Sequence, residues 1–170
     1  MTTREIVIIS AFYLVALCAV IYFTRPTARR IAGALAGGAV VGLMMLGAIV
    51  LGEAMGVWHV PFAPTPYFLP LFYLGSAISC SPIYLITWRV ERRFGQRGLG
   101  VTIAVAALIG PPRDYLYAAK FPAWMVFAPG IAPILADAAV YVGIVALGHA
   151  VMRFVSGPSA EDRLGREKAQ

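Results

Sequence analysis

Residues 31–57 read IAGALAGGAVVGLMMLGAIVLGEAMGV, an apolar stretch in which glycine recurs along the whole length. About 20 apolar residues are enough for a helix to cross a bilayer. Three glycine pairs have GxxxG spacing: Gly33/Gly37, Gly38/Gly42 and Gly52/Gly56. Small residues at this spacing let helices in lipid approach closely. The stretch therefore predicts a central membrane helix, packed tightly against another span or against another chain.

The composition of the whole chain indicates an integral membrane protein. Of 170 residues, 60% are hydrophobic and 13% are charged, whereas soluble domains average about 45–50% and about 25%. Mean hydropathy is +0.78. These values exclude a polar disordered chain and a collagenous or low-complexity one, and they disfavour a water-soluble core. Five spans of about 20 residues would use about 100 residues and leave no room for a separate soluble domain.

The apolar runs predict five spans, over residues 6–24, 31–57, 67–88, 99–110 and 134–155. All should be helices, because a segment in lipid must satisfy its own backbone hydrogen bonds. The predicted fold class is thus an all-α, polytopic integral membrane helix bundle, with one transmembrane domain over 1–155 and a polar cytoplasmic tail over 156–170. The first run is longer than a signal-peptide core and has no small-residue cleavage site, so we expect it to be retained.

The segment over residues 113–133 is rich in aromatic residues and contains Lys120, which suits the boundary between lipid and water. It follows Pro111-Pro112, a pair expected to stop or kink span four. Both an interfacial helix and a re-entrant piece packed on the spans fit this composition.

Three basic clusters predict the orientation. Eleven of the 14 Lys and Arg residues form them: Arg25, Arg29, Arg30; Arg89, Arg92, Arg93, Arg97; and Arg153, Arg163, Arg166, Lys168. With five spans, all three clusters fall on one side, which the positive-inside rule makes cytoplasmic. We expect the N-terminus outside and the C-terminus inside. The frequent use of Ala, Gly, Arg and Pro is compatible with a bacterium of high genomic GC content, which would make the membrane a bacterial inner membrane. The sequence has no basic stripe interleaved with exposed aromatic residues, so it does not favour nucleic-acid binding.

Three of the eight acidic residues are placed where charge is costly. Glu53, Asp114 and Asp137 fall near the predicted outer ends of spans two, four and five. An ionisable group at the centre of a span costs about 2.5–3.5 kcal/mol, and such groups usually face the bundle interior. The topology therefore predicts that these carboxylates gather in one pocket beneath the outer face.

The same layer supplies the rest of a candidate site. Glu53 and Asp137 are the predicted acid/base pair, with Asp114 and His59 assisting, since a buried carboxylic acid can donate a proton and an ionised one can stabilise a developing cation. The residues predicted to line the substrate pocket are Trp58, Arg113, Tyr115, Trp124 and Tyr141. Tyr141 is one helical turn from Asp137 on the same face.

Simpler readings of the same residues stay open. Asp137 could cap its helix, Asp114 could pair with an arginine, and His59 in a proline-rich loop could be a surface histidine. Metal-ligand spacings and nucleotide motifs are absent from the sequence, so we predict neither a metal nor a cofactor. Cys18 and Cys80 lie in apolar runs and are expected to be packing residues.

A Glu late in span two, a Gly/Trp/Pro-rich turn after it and an Asp in a later span are similar to the small acid-bearing multispan cyclases of isoprenoid pathways. That resemblance implies a membrane enzyme of the cyclase or isomerase type, acting by acid–base chemistry on an isoprenoid- or lipid-like molecule. Two alternatives remain. One is a non-catalytic subunit or assembly factor, with a homo-oligomer or membrane partner held through span two. The other is a small transporter or solute-binding component, although transport sites usually lie nearer the midplane.

Overall fold

The computed structural model describes residues 3–61, 68–123 and 125–158. Within these ranges the chain forms four helices and two short strands. Their order is α1 (Thr3–Thr24), α2 (Ala28–Ala54), β1 (Trp58–His59), α3 (Phe68–Lys120), β2 (Val126–Phe127) and α4 (Ala132–Ser156). The predicted all-α class is confirmed, and the strands form a single antiparallel pair.

Helix α3 is two antiparallel helical segments joined at Gly95. That residue has φ 65° and ψ −152°, a conformation that only glycine adopts without strain. The first segment runs toward the start of α2, because Ser76 meets Gly42 and Trp88 meets Arg30. The chain then returns along α4, because Glu91 meets His149 and Arg113 meets Tyr141. The first segment (68–94) and the second segment (96–120) therefore run in opposite directions and place the basic residues around Gly95 at one end.

The second segment does not end at residue 110, as Pro111-Pro112 predicted, but continues to Lys120. The aromatic segment predicted over 113–133 is consequently helical in its first part and extended at Val126–Phe127. Proline removes backbone hydrogen bonds from a helix interior, yet such helices persist where neighbouring elements hold them. Here the ring of Tyr141 packs on Gly110 before the prolines, and its hydroxyl group is hydrogen-bonded to Arg113 and Asp114 after them.

A single buried stripe runs the full length of α4. Its members recur three or four residues apart, as one face of a helix requires: Pro133, Asp137, Tyr141, Ile144, Val145, Gly148, His149, Met152 and Ser156. The middle of the stripe is apolar and joins Val41, Tyr84 and Leu85 in the core. Its two ends are polar, so α4 carries buried hydrogen-bonding groups to both ends of the bundle.

The glycines of α2 hold α3 and α4 at close range. A Cβ on Gly37 would overlap the backbone carbonyl of Gly148, and one on Gly33 would lie 2.9 Å from the Met152 carbonyl oxygen. On the other side, a Cβ on Gly38 would lie 2.7 Å from the Cα of Ala77. The GxxxG pairs Gly33/Gly37 and Gly38/Gly42 thus contact elements of the same chain.

The outward surface of the bundle is strongly apolar. Large side chains exposed on it come from every helix and include Val15, Val50, Leu108, Leu135 and Phe154. Two helices, α2 and α4, are long and apolar enough to cross a membrane by length and composition.

The close approach of α2 to α4 makes one stability prediction. Gly37→Ala should lower the free energy of unfolding by about 1–3 kcal/mol, because the added methyl group overpacks a backbone contact. Gly47→Ala is the matched control, since a Cβ at Gly47 meets nothing within 4 Å. It should be neutral or stabilise by up to about 1 kcal/mol through helix propensity. Thermal unfolding of both variants in mild detergent measures the difference, and equal stabilities would contradict the packing described.

Candidate functional site

One end of the bundle, here called the aspartate end, holds a hydrogen-bonded group of three side chains. The Arg113 guanidinium donates to Asp114 Oδ1 from Nε at 2.9 Å and from Nη2 at 2.7 Å. Arg113 also donates to the Tyr141 hydroxyl, and that hydroxyl donates to Asp114 Oδ2 at 2.9 Å. Both carboxylate oxygens of Asp114 are therefore engaged by charged or polar donors.

Local packing positions this group. Gly110 leaves room for the Tyr141 ring to lie directly on the α3 backbone, one turn before Arg113 and Asp114. The Arg113 guanidinium carbon is 5.4 Å from the centre of the same ring, within cation–π range. Tyr141 thus orients the arginine through both its face and its hydroxyl group.

Asp137 lies one turn from Tyr141 on the buried face of α4 and is only 7% exposed. Its Oδ2 atom is buried and has no hydrogen-bond partner among the described residues. Asp114 and Arg113 are near enough to Asp137 to interact with it electrostatically. A carboxyl group removed from water in this way is expensive to keep charged and is unusual in folded proteins unless it has a role.

A short strand pair covers this end of the bundle. Trp58 pairs with Phe127, and His59 pairs with Val126. Phe127 stacks on Tyr115 with 4.1 Å between ring centres, and meets Trp58 edge-to-face at 6.4 Å. The Tyr115 hydroxyl is buried without a hydrogen-bond partner among the described residues, and it is near enough to Asp137 for an electrostatic interaction. Three aromatic rings therefore connect the loop after α2 to the carboxylates of α3 and α4.

Glu53 and His59 form a separate pair. Glu53 Oε1 contacts His59 Nδ1, and Glu53 Oε2 accepts from the backbone N–H of Val60 at 3.4 Å. Their side chains are 41% and 65% exposed. Both belong to the aspartate end through the pairing of His59 with Val126, but each is engaged with the other rather than with Asp137.

The structure thus brings together five of the predicted site residues: Arg113, Asp114, Tyr115, Asp137 and Tyr141. Trp58 joins them through Phe127, while Glu53 and His59 pair apart from Asp137. Trp124 lies outside the described residues. Within the described part of the chain, no group of three or more His, Cys, Asp or Glu side chains could hold a metal ion.

A second buried polar network lies at the opposite end, here called the arginine end, and the sequence analysis did not predict it. Glu91 is 5% exposed and accepts from Arg153 Nη1 at 2.9 Å; its Oε2 is 2.9 Å from His149 Nε2. His149 is 1% exposed, and its Nδ1 has no partner among the described residues. A buried carboxylate between a histidine and an arginine ties the first segment of α3 to α4.

Arg30 joins the start of α2 to the same end. Its guanidinium donates to Ser156 Oγ at 3.1 Å, to the Gly157 carbonyl at 2.6 Å and to the Pro158 carbonyl at 2.8 Å. It also lies 5.5 Å from the centre of the Trp88 ring. Arg30 therefore satisfies carbonyl groups at the end of α4, a role suited to a cation at a helix C-terminus.

One feature of the sequence points toward this network. Glu91 is the only acidic residue between Arg89 and Arg97, and His149 is the only histidine in a predicted span. A single carboxylate among arginines in the sequence is expected to pair with these neighbours at the solvent-exposed surface. Only the packing of α3 on α4 shows that its partners come from a distant helix.

Breaking the Glu91–His149 pair should lower the free energy of unfolding far more than breaking the Glu53–His59 pair. Glu91→Gln should cost about 3 kcal/mol, the lower end of the range for breaking a buried pair, because Arg153 can partly reach solvent. Glu53→Gln should cost about 0–1 kcal/mol, since that pair is exposed. Chemical or thermal unfolding of the two variants in detergent compares them. A loss at Glu53 as large as that at Glu91 would contradict the burial described here.

Comparison with known proteins found no matching family model, curated protein or solved structure. The residues and contacts of this chain are therefore the basis for the function proposed next.

Proposed function

We propose that the chain is a multi-pass membrane protein in which α1, α2, the two segments of α3 and α4 form five spans. The apolar exterior supports this arrangement, because lipid-facing side chains of a membrane bundle are as apolar as its core. The N-terminus lies outside and the C-terminus in the cytoplasm, with the bacterial inner membrane as the setting.

The distribution of charge supports this orientation. Described basic residues gather at the arginine end: Arg25, Arg29, Arg30, Arg89, Arg92, Arg93, Arg97 and Arg153. The aspartate end has Arg113 and Lys120, and also carries Glu53, Asp114 and Asp137. Under the positive-inside rule the arginine end faces the cytoplasm, and the aspartate end faces the outer leaflet.

We further propose that the aspartate end performs acid–base chemistry on a lipophilic, isoprenoid- or lipid-like molecule. The observation that carries this proposal is the buried Asp137 oxygen, which has no hydrogen-bond partner among the described residues, near an Asp114 whose two oxygens are engaged by Arg113 and Tyr141. Two carboxyl groups in contrasting environments are what an acid and a fixed negative charge require. Asp137 supplies the proton, and Asp114 supplies the charge.

The chemistry balances without an oxidant or a metal. Asp137 donates its proton to one carbon of a substrate double bond; the π electrons form the new C–H bond and leave the other carbon cationic. The Asp114 carboxylate and the aromatic faces of Tyr115 and Tyr141 stabilise that cation. Loss of a different proton to the Asp137 carboxylate restores a double bond, either directly or after a second double bond has closed a ring.

The remaining predicted residues take supporting roles in this proposal. Glu53 and His59, which are exposed and in contact, exchange protons between the covered end and water. Trp58, with Tyr115 on the other side of Phe127, covers the carboxylates and limits access of water. Arg113 holds the Asp114 carboxylate in place through its two hydrogen bonds. Trp124 stays a predicted lining residue.

A partner chain held through span two remains an alternative prediction. Within one chain, Gly33 and Gly37 already contact α4, and Gly38 and Gly42 already contact α3. This use of the glycines favours a self-contained bundle over an assembly factor that needs a partner to bury them. A homo-oligomer would have to form through other surfaces, such as the exposed face around Gly47.

Solvent deuterium tests the proposed chemistry. The protein, in vesicles equilibrated in D₂O, is given acyclic polyisoprenoid hydrocarbons such as squalene, and the recovered lipids are analysed by mass spectrometry. Protonation at carbon should introduce deuterium into the product. Asp137→Asn should lower the rate about 10²-fold or more, because general acid catalysis contributes about 10²–10⁴-fold. Glu53→Gln should lower it only a few-fold.

Asp162→Asn, the same change in the polar segment outside the described residues, is the matched control and should leave the rate unchanged. Equal deuterium incorporation by the wild type and Asp137→Asn would contradict the assignment of Asp137. Uptake of a solute that collapses with an uncoupler, with no labelled product, would favour the transporter alternative.

A further inference from the structure

The hydrogen-bonded pair of Arg113 and Asp114 is the most open part of the aspartate end. Their side chains are 48% and 26% exposed, whereas Asp137 and Tyr141, as whole residues, are each 7% exposed. Arg113 lies seven residues before Lys120, the last residue of α3, which corresponds to about 10 Å along the helix axis. The exposed pair therefore lies within the proposed span and not at its edge.

The face of α3 next to Arg113 is apolar and directed outward. Residues three or four positions apart are neighbours on a helix surface, and around Arg113 these include Ile109, Leu116 and Tyr117. All three are exposed. In the proposed membrane this face meets lipid, so the open side of the charged pair lies among side chains that face the bilayer.

Helix α1 borders the same opening. Tyr13 lies on the face of α1 that packs on the bundle, because it is one helical turn from the buried Leu17. Tyr13 is half-buried and near enough to Arg113, Asp114 and Tyr117 to interact with them electrostatically. Within the described residues, the main contacts of α1 are with α3. Tyr13 and Tyr117 therefore lie on the two helices that border the open side of the pair.

The strand pair covers the outer end of the site. Phe127 lies between the rings of Tyr115 and Trp58. Trp58 is buried, and its ring occupies the space beside Gly52 of α2, where a Cβ would overlap it. The cover is thus anchored to α2, whereas the charged pair is open toward the side of the bundle.

We propose that the lipophilic substrate enters the aspartate end sideways from the outer leaflet, between α1 and the second segment of α3, past Tyr13 and Tyr117. A hydrocarbon dissolved in the bilayer reaches this opening without passing through water, where its apolar surface is unfavourable. The two tyrosine rings provide apolar contact beside the charged pair, since an aromatic side chain has an apolar body and a polar tip. The inference rests on the function proposed above and specifies the source of the substrate, which is the bilayer and not the aqueous phase.

A reversible bridge across the opening tests this route. Tyr13→Cys and Tyr117→Cys are introduced together with Cys18→Ser and Cys80→Ser, and the protein is reconstituted in vesicles with squalene. A short bis-methanethiosulfonate reagent joins the two introduced cysteines, and intact mass gives the bridged fraction. The bridge should stop deuterium incorporation from D₂O, because it closes the gap between α1 and α3. Reduction with dithiothreitol should restore incorporation.

The matched control carries Tyr22→Cys and Arg89→Cys in the same background. These two residues line one groove at the arginine end and belong to the same two helices. Their bridge should leave deuterium incorporation unchanged, because it restrains α1 without covering Arg113. Undiminished incorporation by fully bridged Tyr13→Cys/Tyr117→Cys protein would overturn the route. Equal loss on bridging either pair would also overturn it, since restraint of α1 would then explain the loss.

Photolabelling of the wild-type chain separates this inference from the proposed chemistry. Vesicles contain a squalene analogue with a diazirine group, and the adducts are mapped by mass spectrometry after illumination. Adducts at Tyr13 and at residues 109–117 should decrease with excess squalene, whereas adducts at the exposed Val101 and Val105 should not. Competition at all of these positions, or at none, would overturn the route. If the wild type forms no deuterated product, the proposed chemistry fails and photolabelling alone decides the route; it also decides if the cysteine variant is inactive before bridging.

Discussion

The contact between the backbones of α2 and α4 at Gly37 and Gly148 is the constraint on which the rest of the bundle depends. It sets the closest approach of α4 to α2, since no side chain lies between the two backbones. With α4 held there, Tyr141 reaches Arg113 and His149 reaches Glu91. Gly148 also receives the ring of Tyr84 on the first segment of α3, so one residue sets the spacing of three helical segments. Close backbone packing is what holds helices together where no hydrophobic effect separates core from surroundings.

The two polar ends of the bundle differ in how their buried carboxyl groups are hydrogen-bonded. At the arginine end, Glu91 is saturated by His149, Arg153 and Gln96, and Arg30 satisfies the carbonyl groups that end α4. This is how buried charge is accommodated in a structural role. At the aspartate end, Asp114 is satisfied but Asp137 and Tyr115 retain buried polar atoms without partners among the described residues. The arginine end also holds one buried polar atom, His149 Nδ1, that has no partner among the described residues. Chemistry is proposed for the aspartate end because Asp137 has a buried carboxyl oxygen without a partner in the described part of the chain, whereas Glu91 has partners on both oxygens.

The positive charges of the arginine end also divide between two uses. Arg30 and Arg153 turn inward and hold helix ends or the Glu91 carboxylate. Arg25, Arg89 and Arg92 line a groove at the surface instead. The basic residues of this end, which serve together to predict orientation from the sequence, therefore divide in the structure into residues that bind inside the bundle and residues that line its surface.

The sequence by itself determined the helical class, the glycine face of α2 and the residue types of the aspartate end, because hydrophobic runs, small-residue spacing and carboxylates next to apolar runs are local properties of the chain. It did not determine that the helix continues through Pro111-Pro112, since that depends on Gly110 packing against a ring from α4. Nor did it separate Glu53 from Asp137 or unite Glu91 with His149. Residues that share a depth can face different neighbours, and only the rotation and register of packed helices decide which side chains meet.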